Sequence, residues 1–366
     1  MTEHGLANDV SRSAAGDSSL LETIDLKRYY PVRSPLLKRR VGWIKAVDGV
    51  TLLVSAGETL GLVGESGCGK STLGKTLVGI YRPTGGEVRF TGQRVSRLSR
   101  RKLRGFGRHV QYLHQNPALC LDPWWRVGRS VGEPLAVHCR RLSRKDTDER
   151  VRRIFEAVGL DHESISRYPH EFSGGQQRRI GLARMLILEP RLIIFDEPTS
   201  GLDVSVQASI LQLMERLKGE HGLTYMHISH NLAVVNAIST RISVMYLGKV
   251  VEVADTGTII DTPLHPYTRM LFSSVPRITT NGKSPETRSR VLGEPPDPQT
   301  PPSGCRFHTR CHEAEEMCMK TEPELREVVP GHFVACHMTD WGVSERSLPD
   351  LDDHALEATD CGGSSV

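Results

Sequence analysis

Gly64-Glu65-Ser66-Gly67-Cys68-Gly69-Lys70-Ser71 follows directly on the apolar run Thr59 to Val63. The stretch fits the pattern GxxxxGK[ST], a glycine-rich turn between a strand and a helix. Glycines let successive backbone N–H groups turn inward on phosphate oxygens, and a helix opening at Lys70 adds the positive end of its dipole. Lys70 is expected to reach the β- and γ-phosphates of a bound nucleotide, with the Ser71 hydroxyl on Mg2+. Strand, loop and helix in this order predict an α/β fold and a pocket for a nucleoside triphosphate. Cys68 reads as a small residue tolerated in the turn, not as a nucleophile.

A second apolar run, Leu192 to Phe195, reads as a buried parallel strand. It delivers Asp196 and Glu197 to the carboxyl edge of the sheet, where open α/β sheets bind ligands. Asp196 is expected to hold Mg2+ through water, and Glu197 to polarise the attacking water. An acidic strand end alone is commonplace; the phosphate loop ahead of it gives it meaning. Between the two lies Phe172-Ser173-Gly174-Gly175-Gln176-Gln177, which joins glycine turns to a predicted helix from Gln177 to Leu188, aimed at an anion. This stretch has no evident use in its own pocket and so implies a facing subunit. Ser173 is also a good N-cap for that helix, and the two roles are compatible.

In order and spacing these pieces resemble the nucleotide-binding subunits of ATP-binding-cassette transporters, across about residues 20 to 340. The resemblance implies a P-loop ATPase domain in which Gly64, Glu65, Ser66, Gly67, Cys68, Gly69, Lys70, Ser71 and Thr72 grip ATP. It implies that Ser173, Gly174, Gly175 and Gln176 form the signature that binds the γ-phosphate held by the opposite subunit. Phe172 stands where the family has Leu, a departure common in its oligopeptide branch. Gln115, after the strand Val110 to Leu113, is similar to the Q-loop glutamine, which joins Ser71 and Asp196 at Mg2+ and relays nucleotide state to the membrane subunit. Ser200-Gly201-Leu202-Asp203 resembles the D-loop that crosses the dimer interface. His230, following the strand Leu223 to Ile228, matches the switch histidine at the γ-phosphate, while the nearby His227 receives the plain reading of polar surface. Tyr30, or else Tyr29, stands where the family stacks an aromatic ring on adenine. The implied activity is ATP hydrolysis at two composite sites, with Glu197, His230 and Lys70 as the catalytic group and charge neutralisation as its main means.

With 366 residues the chain has room for more than one core. Residues 1–19 read as disordered, 20–275 as the ATPase unit, 276–340 as a small Cys-rich extension and 341–366 as a disordered tail. The ATPase unit is expected to hold a mainly parallel sheet, an antiparallel N-terminal portion and a helical subdomain at about residues 116–175. Within that subdomain Val151, Ile154, Phe155 and Val158 share one helix face, and Ile210, Leu213, Met214 and Leu217 share another further along, which suits packing on the sheet. No apolar run approaches the roughly 18 residues needed to cross a bilayer. The polar start of the chain, with Glu3 and Asp9, is unlike a signal peptide. A net charge of +4 gives no argument for nucleic acid, and the seven Lys or Arg between Arg94 and Arg108 read as solvated helix surface.

Beyond Pro295-Pro296, Pro298 and Pro301-Pro302, an extended connector, come Cys305, Cys311, Cys318 and Cys336. Reduced cytosolic thiols favour a metal over disulfides, yet the spacing C-x5-C-x6-C-x17-C fits neither close zinc pairs nor common ferredoxin runs, so the metal stays open. A metal-free group of buried thiols is the third possibility. Pro302-Ser303-Gly304-Cys305-Arg306-Phe307-His308-Thr309-Arg310-Cys311 and Leu264-His265-Pro266-Tyr267-Thr268 resemble the oligopeptide and dipeptide permease ATPases. That resemblance implies a [4Fe-4S] cluster on the four cysteines, with zinc as the alternative. It also implies two transmembrane permease subunits, an extracellular binding protein, a second, homologous but different ATPase chain, and a place on the cytoplasmic face of the inner membrane. Cys361 is expected to take no part. Glutathione or a nickel chelate is the alternative cargo. The alternative of a non-transport cassette ATPase in DNA repair or translation is weakened by a single phosphate loop, a single signature and no heptad tract.

Overall fold

The computed structural model describes residues 19–34, 39–115, 120–139, 141–273 and 293–339. The chain starts with β1 (Ser19–Arg33) and β2 (Arg40–Ser55), enters β3 (Thr59–Val63) and α1 (Lys70–Leu77), and returns as β4 (Gly85–Phe90) and β5 (Gln93–Arg94). Helix α2 (Arg100–His109) leads into β6 (Val110–Leu113), and a helical lobe follows with α3 (Val127–His138), α4 (Arg144–Ala157) and α5 (Gly174–Leu186). The chain then alternates through β7 (Leu192–Asp196), α6 (Val204–His221), β8 (Thr224–Ile228), α7 (Leu232–Ile238), β9 (Arg241–Tyr246) and β10 (Lys249–Asp255). Two short helices, α8 (Thr256–Asp261) and α9 (Pro266–Ser273), close this unit. The tail contributes α10 (Glu316–Lys320), β11 (Arg326–Val329) and β12 (His332–Val334).

Two sheets result. The smaller one is antiparallel, in the order β2-β1-β4-β5. The larger runs β11-β12-β10-β9-β3-β8-β7-β6, parallel from β9 to β6 and antiparallel from β9 outward to β11. β3, β7 and β8 are buried at every position, as strands covered on both faces must be, and so read as unbroken apolar runs. Their register fixes the site. Leu62 pairs with Ile228, Leu113 with Phe195, and Asp196 with Ile228, so the residues that follow β3, β6, β7 and β8 all leave the same sheet edge.

The two expected helix faces are both buried. Val151, Ile154, Phe155 and Val158 pack in the helical lobe, and Ile210, Leu213, Met214 and Leu217 pack in the same core cluster. The Cys-rich extension is less separate than the sequence suggests: β12 pairs with β10 through Glu252–Val334 and Val253–Phe333 and so lengthens the ATPase sheet. Ser19 is the first residue of β1 rather than the last of a disordered leader. The rest of that leader, the tail beyond residue 340, Cys361 and residues 276–292 lie outside the described residues. The signature helix begins at Gly174, three residues before its expected start, because Ser173 caps it in a box with Gln176.

His227 is not polar surface. It is fully buried in β8 beside Phe195, with ring centroids 6.2 Å apart. The strand period puts it on the face of Tyr225, which points into the lobe core. Neither ring nitrogen has a hydrogen-bond partner among the described residues, and burial pushes the imidazole down to about 4. The folded ring is therefore neutral where an unfolded one, at about 6.5, takes up a proton. Stability from this residue is complete above about 6.5 and is lost as pH falls toward 4, by roughly 3 kcal/mol. His227→Leu should flatten the fall in unfolding free energy across that window in urea titrations; an unchanged slope would mean the native ring is already protonated.

Candidate functional site

The phosphate loop is folded as its glycines require. Gly64, Gly67 and Gly69 have φ of 153°, 80° and 109°. A Cβ on Gly64 would stand 2.1 Å from the Met245 carbonyl oxygen, and one on Gly69 would stand 1.9 Å from that of Ala46. Lys70 is buried and arches back over the loop, donating to the carbonyls of Gly64 at 2.7 Å and Glu65 at 2.8 Å. Cys68 is buried, which raises its thiol and agrees with a packing role. Its carbonyl accepts the Gly248 N–H at 2.8 Å.

Across the sheet edge, Ser71 Oγ donates to Asp196 Oδ1 at 3.0 Å, and Tyr112 donates its hydroxyl to Asp196 Oδ2 at 2.5 Å. Burial, then the Asp196 contact, holds the Tyr112 phenol well above its ordinary range. Glu197, next along, lies between two other expected residues. Gln115 Nε2 donates to its Oε2 at 3.1 Å, and His230 Nδ1 lies 2.7 Å from its Oε1. Glu197 has φ of 52°, an uncommon value for a side-chain-bearing residue, so backbone strain of about 1–3 kcal/mol sits at this carboxylate. Ser71 and Asp196, joined at 3.0 Å, are hard oxygen donors of the kind that would suit Mg2+, and the Gln115 amide oxygen is a further donor of that type. Such an ion would neutralise charge on the transferred phosphoryl group. A carboxylate held between an amide and an imidazole can orient water for in-line attack.

Signature residues Ser173, Gly174 and Gln176 are exposed at the start of α5. The Ser173 hydroxyl accepts the Gln176 N–H at 3.3 Å, and the Gln176 side chain accepts the Ser173 N–H at 2.9 Å. The expected D-loop residues lie just beyond Glu197: Ser200 N–H donates to the Glu197 carbonyl at 3.2 Å, Gly201 has φ of 70°, and Asp203 stands before α6. Arg178 donates to the Pro198 and Ser200 carbonyls and so ties signature helix to D-loop. Nothing in the run Arg178-Arg179 marks it for this task. Tyr30 is half-buried, with the Arg28 guanidinium 4.6 Å from its ring centre and Tyr81 edge-on at 6.0 Å. Tyr29 instead gives its hydroxyl to Asp48.

Cys305, Cys311, Cys318 and Cys336 line one small cavity with His265 and Phe307. Among the described residues, no group of three or more His, Cys, Asp or Glu is placed to hold a metal ion. Burial pushes the Cys305 thiol up to about 11 and Cys311 up to about 12, and raises Cys336 as well.

A phosphate cradle that meets an acidic strand end in its own subunit, beside an exposed glycine-bearing helix start, is the arrangement of ATP-binding-cassette ATPases. Residues 47–200 match the family described as ABC transporter, and residues 251–318 match the oligopeptide/dipeptide transporter C-terminal region. The chain is 48% identical to the oligopeptide transport ATP-binding protein AppF of Bacillus subtilis over 327 residues, 89% of this chain and 99% of that one. It is 44% identical to the oligopeptide transport ATP-binding protein OppF of Escherichia coli over 330 residues, 89% and 98% of the two chains. Among solved structures it is similar to the ATP-binding cassette MJ0796, a dimer in a post-hydrolysis state bound to ADP and Pi, with a TM-score of 0.58, 26% identity, and coverage of 65% of this chain and 99% of that one. The chain belongs to the oligopeptide/dipeptide branch of the ABC transporter ATP-binding proteins, and it is an ATPase.

Gly69→Ala tests the cradle. The added Cβ must displace the Ala46 carbonyl or unwind a residue at φ of 109°. Binding of a fluorescent ATP analogue should weaken by about 100-fold or more, the cost of misplacing phosphate donors by about an ångström. Retained affinity would show that the loop does not need this close approach.

Proposed function

We propose that this chain is the ATP-hydrolysing motor of an importer for oligopeptides or dipeptides, working at composite sites between two ATPase subunits on the cytoplasmic face of the inner membrane. The observation that carries this reading is the Gln115–Glu197–His230 cluster beside a complete phosphate loop, in a chain whose relatives are named for peptide transport along nearly their whole length. Lys70 would draw charge from the γ-phosphate, Glu197 would orient or deprotonate the attacking water, and His230 would hold Glu197 and reach the γ-phosphate. Ser173 to Gln176 would serve the ATP of the facing subunit, a homologous but different chain. Residues Gly64 to Thr72 would cradle the nucleotide, and Tyr30 is the adenine platform that Tyr29, spent on Asp48, leaves available.

No helix among the described residues is long and apolar enough to cross a membrane; in this reading two permease subunits supply the path and, through them, an extracellular binding protein delivers the cargo. A groove of 430 Å³ supports docking of a permease helix. It lies between β6 and the helical lobe, lined by Tyr112, Pro134, Val137, Arg184 and Met185. Tyr112 links its floor to Asp196, three residues before Gln115. Convergence of four thiols on one cavity supports a [4Fe-4S] cluster there, with zinc as the alternative.

Two measurements test these readings. In the assembled complex, Glu197→Gln should lower steady-state ATPase by about 100-fold or more while an ATP-bound dimer accumulates; ordinary turnover would remove Glu197 from its role. Anaerobic purification of the full chain should yield a brown protein with visible charge-transfer absorption, and stoichiometric zinc without iron would overturn the cluster.

A further inference from the structure

The tail grips the phosphate loop. Arg310, one residue before Cys311, sends its guanidinium to Glu65 as a two-pronged pair, Nη1 to Oε2 at 2.7 Å and Nη2 to Oε1 at 2.9 Å. Its side chain is 3% exposed and that of Glu65 25%. The fork is locked in turn, with Nη1 3.4 Å from the Tyr246 hydroxyl and the rings of Tyr246 and Phe307 beside it. The Glu65 N–H is also taken up on this side, donating to the Tyr267 hydroxyl at 2.8 Å. The Glu65 amide is thus engaged by α9 and its carboxylate by the tail.

We propose that Arg310 is a positioning residue for ATP binding: by fixing Glu65 it holds the phosphate loop and Lys70 in phosphate-binding geometry. The connection is short. The Glu65 carbonyl is one of the two that receive Lys70 Nζ, so a shift of this peptide shifts the lysine. A second arginine of the same motif supports the loop's other end. Arg306 donates to Asp48 and to the Leu247 carbonyl, in a pair whose side chains are 7% and 10% exposed. Leu247 and Gly248 form the tight turn between β9 and β10, with φ of 41° and 83°, and the Gly248 N–H holds the Cys68 carbonyl. The tail therefore sets both residue 65 and residue 68 of the loop. An Arg fork matched to a carboxylate fixes orientation as well as distance, which a lysine point charge does not.

The alternative is that the pair only docks the tail. Docking has other means, among them β12 on β10 and the Lys249–Glu322 pair, so the two roles separate experimentally. The inference rests on ATP being bound and hydrolysed at this site. Steady-state ATPase of the assembled complex would be measured across ATP concentrations, with binding of a fluorescent ATP analogue to the full chain. Arg310→Gln should raise KM and Kd by about tenfold with kcat within about twofold, and Arg310→Lys should recover part of the loss. Glu65→Gln should reproduce Arg310→Gln, and the double variant should be no worse than either single one. Glu322→Gln, which cuts a surface tether of the same tail, should leave KM unchanged. Unchanged ATP affinity in Arg310→Gln, or a loss that Glu65→Gln does not share, overturns the proposal. Where Arg310→Gln fails to fold, Glu65→Gln alone decides, since it leaves the arginine in its packed site. A wild-type chain that binds no ATP would defeat the site reading itself, an outcome distinct from variants that bind as wild type does.

Discussion

The 3.0 Å bond from Ser71 to Asp196 is the contact on which the rest of the site depends. It joins the first turn of α1 to the end of β7, two elements whose parent strands are not neighbours, since β8 lies between β3 and β7. A bond across an intervening strand is possible only if all three strands end level, and the paired registers Leu62–Ile228 and Asp196–Ile228 provide this. A slip of one residue in either pairing would turn Asp196 to the other face of the sheet and leave Ser71 without its partner. Once Asp196 is placed, Glu197 follows at the sheet edge, and its left-handed backbone turns it toward Gln115 and His230.

Among the described residues, each buried Asp, Glu, Lys or Arg meets a partner. Glu252 is fully buried, receives the N–H groups of Leu264 and His265, and lies 2.7 Å from His332 Nε2. At Asp48, burial pushes the carboxyl upward, but the Tyr29 hydroxyl and the Arg306 guanidinium outweigh it, and the group is held below its usual range. Such arrangements are weak evidence for net stability, because desolvation offsets much of the attraction. Breaking one is a different matter, at about 3–5 kcal/mol for an uncompensated buried charge. The pairs therefore specify where the tail sits more than how strongly it sits there, and one of them, Arg310–Glu65, places the tail on the phosphate loop.

Much of this was legible in the sequence for a physical reason: phosphate loops and parallel strands are local patterns. Gly64 to Ser71 dictates its own turn, and Leu192 to Phe195 declares a strand buried on both faces without reference to anything distant. The helix faces of Val151–Val158 and Ile210–Leu217 were equally readable from period. What escaped depends on contacts far apart in the chain. Arg310 lies 245 residues from Glu65 and looks like a spacer within a cysteine motif. Tyr112 resembles any aromatic residue in a core strand, though Asp196 receives its hydroxyl. The burial of His227 is hidden in the sequence because a lone histidine carries no mark of its surroundings; only its place in the period of β8 shows it.

The signature helix raises a conflict between structure and ligand that its chemistry resolves. Ser173 already accepts the Gln176 N–H, so one could suppose that binding a phosphate requires breaking the cap. A serine hydroxyl, however, has one donor and two lone pairs. The cap occupies a lone pair and leaves the O–H to donate to an anion. Gln176 contributes its side-chain oxygen to the Ser173 N–H, which fixes the backbone at the moment it must face a ligand. On the proposed reading the capped helix would serve as a prepared anion site: an arriving phosphate would meet a free O–H donor, with no helix turn to refold.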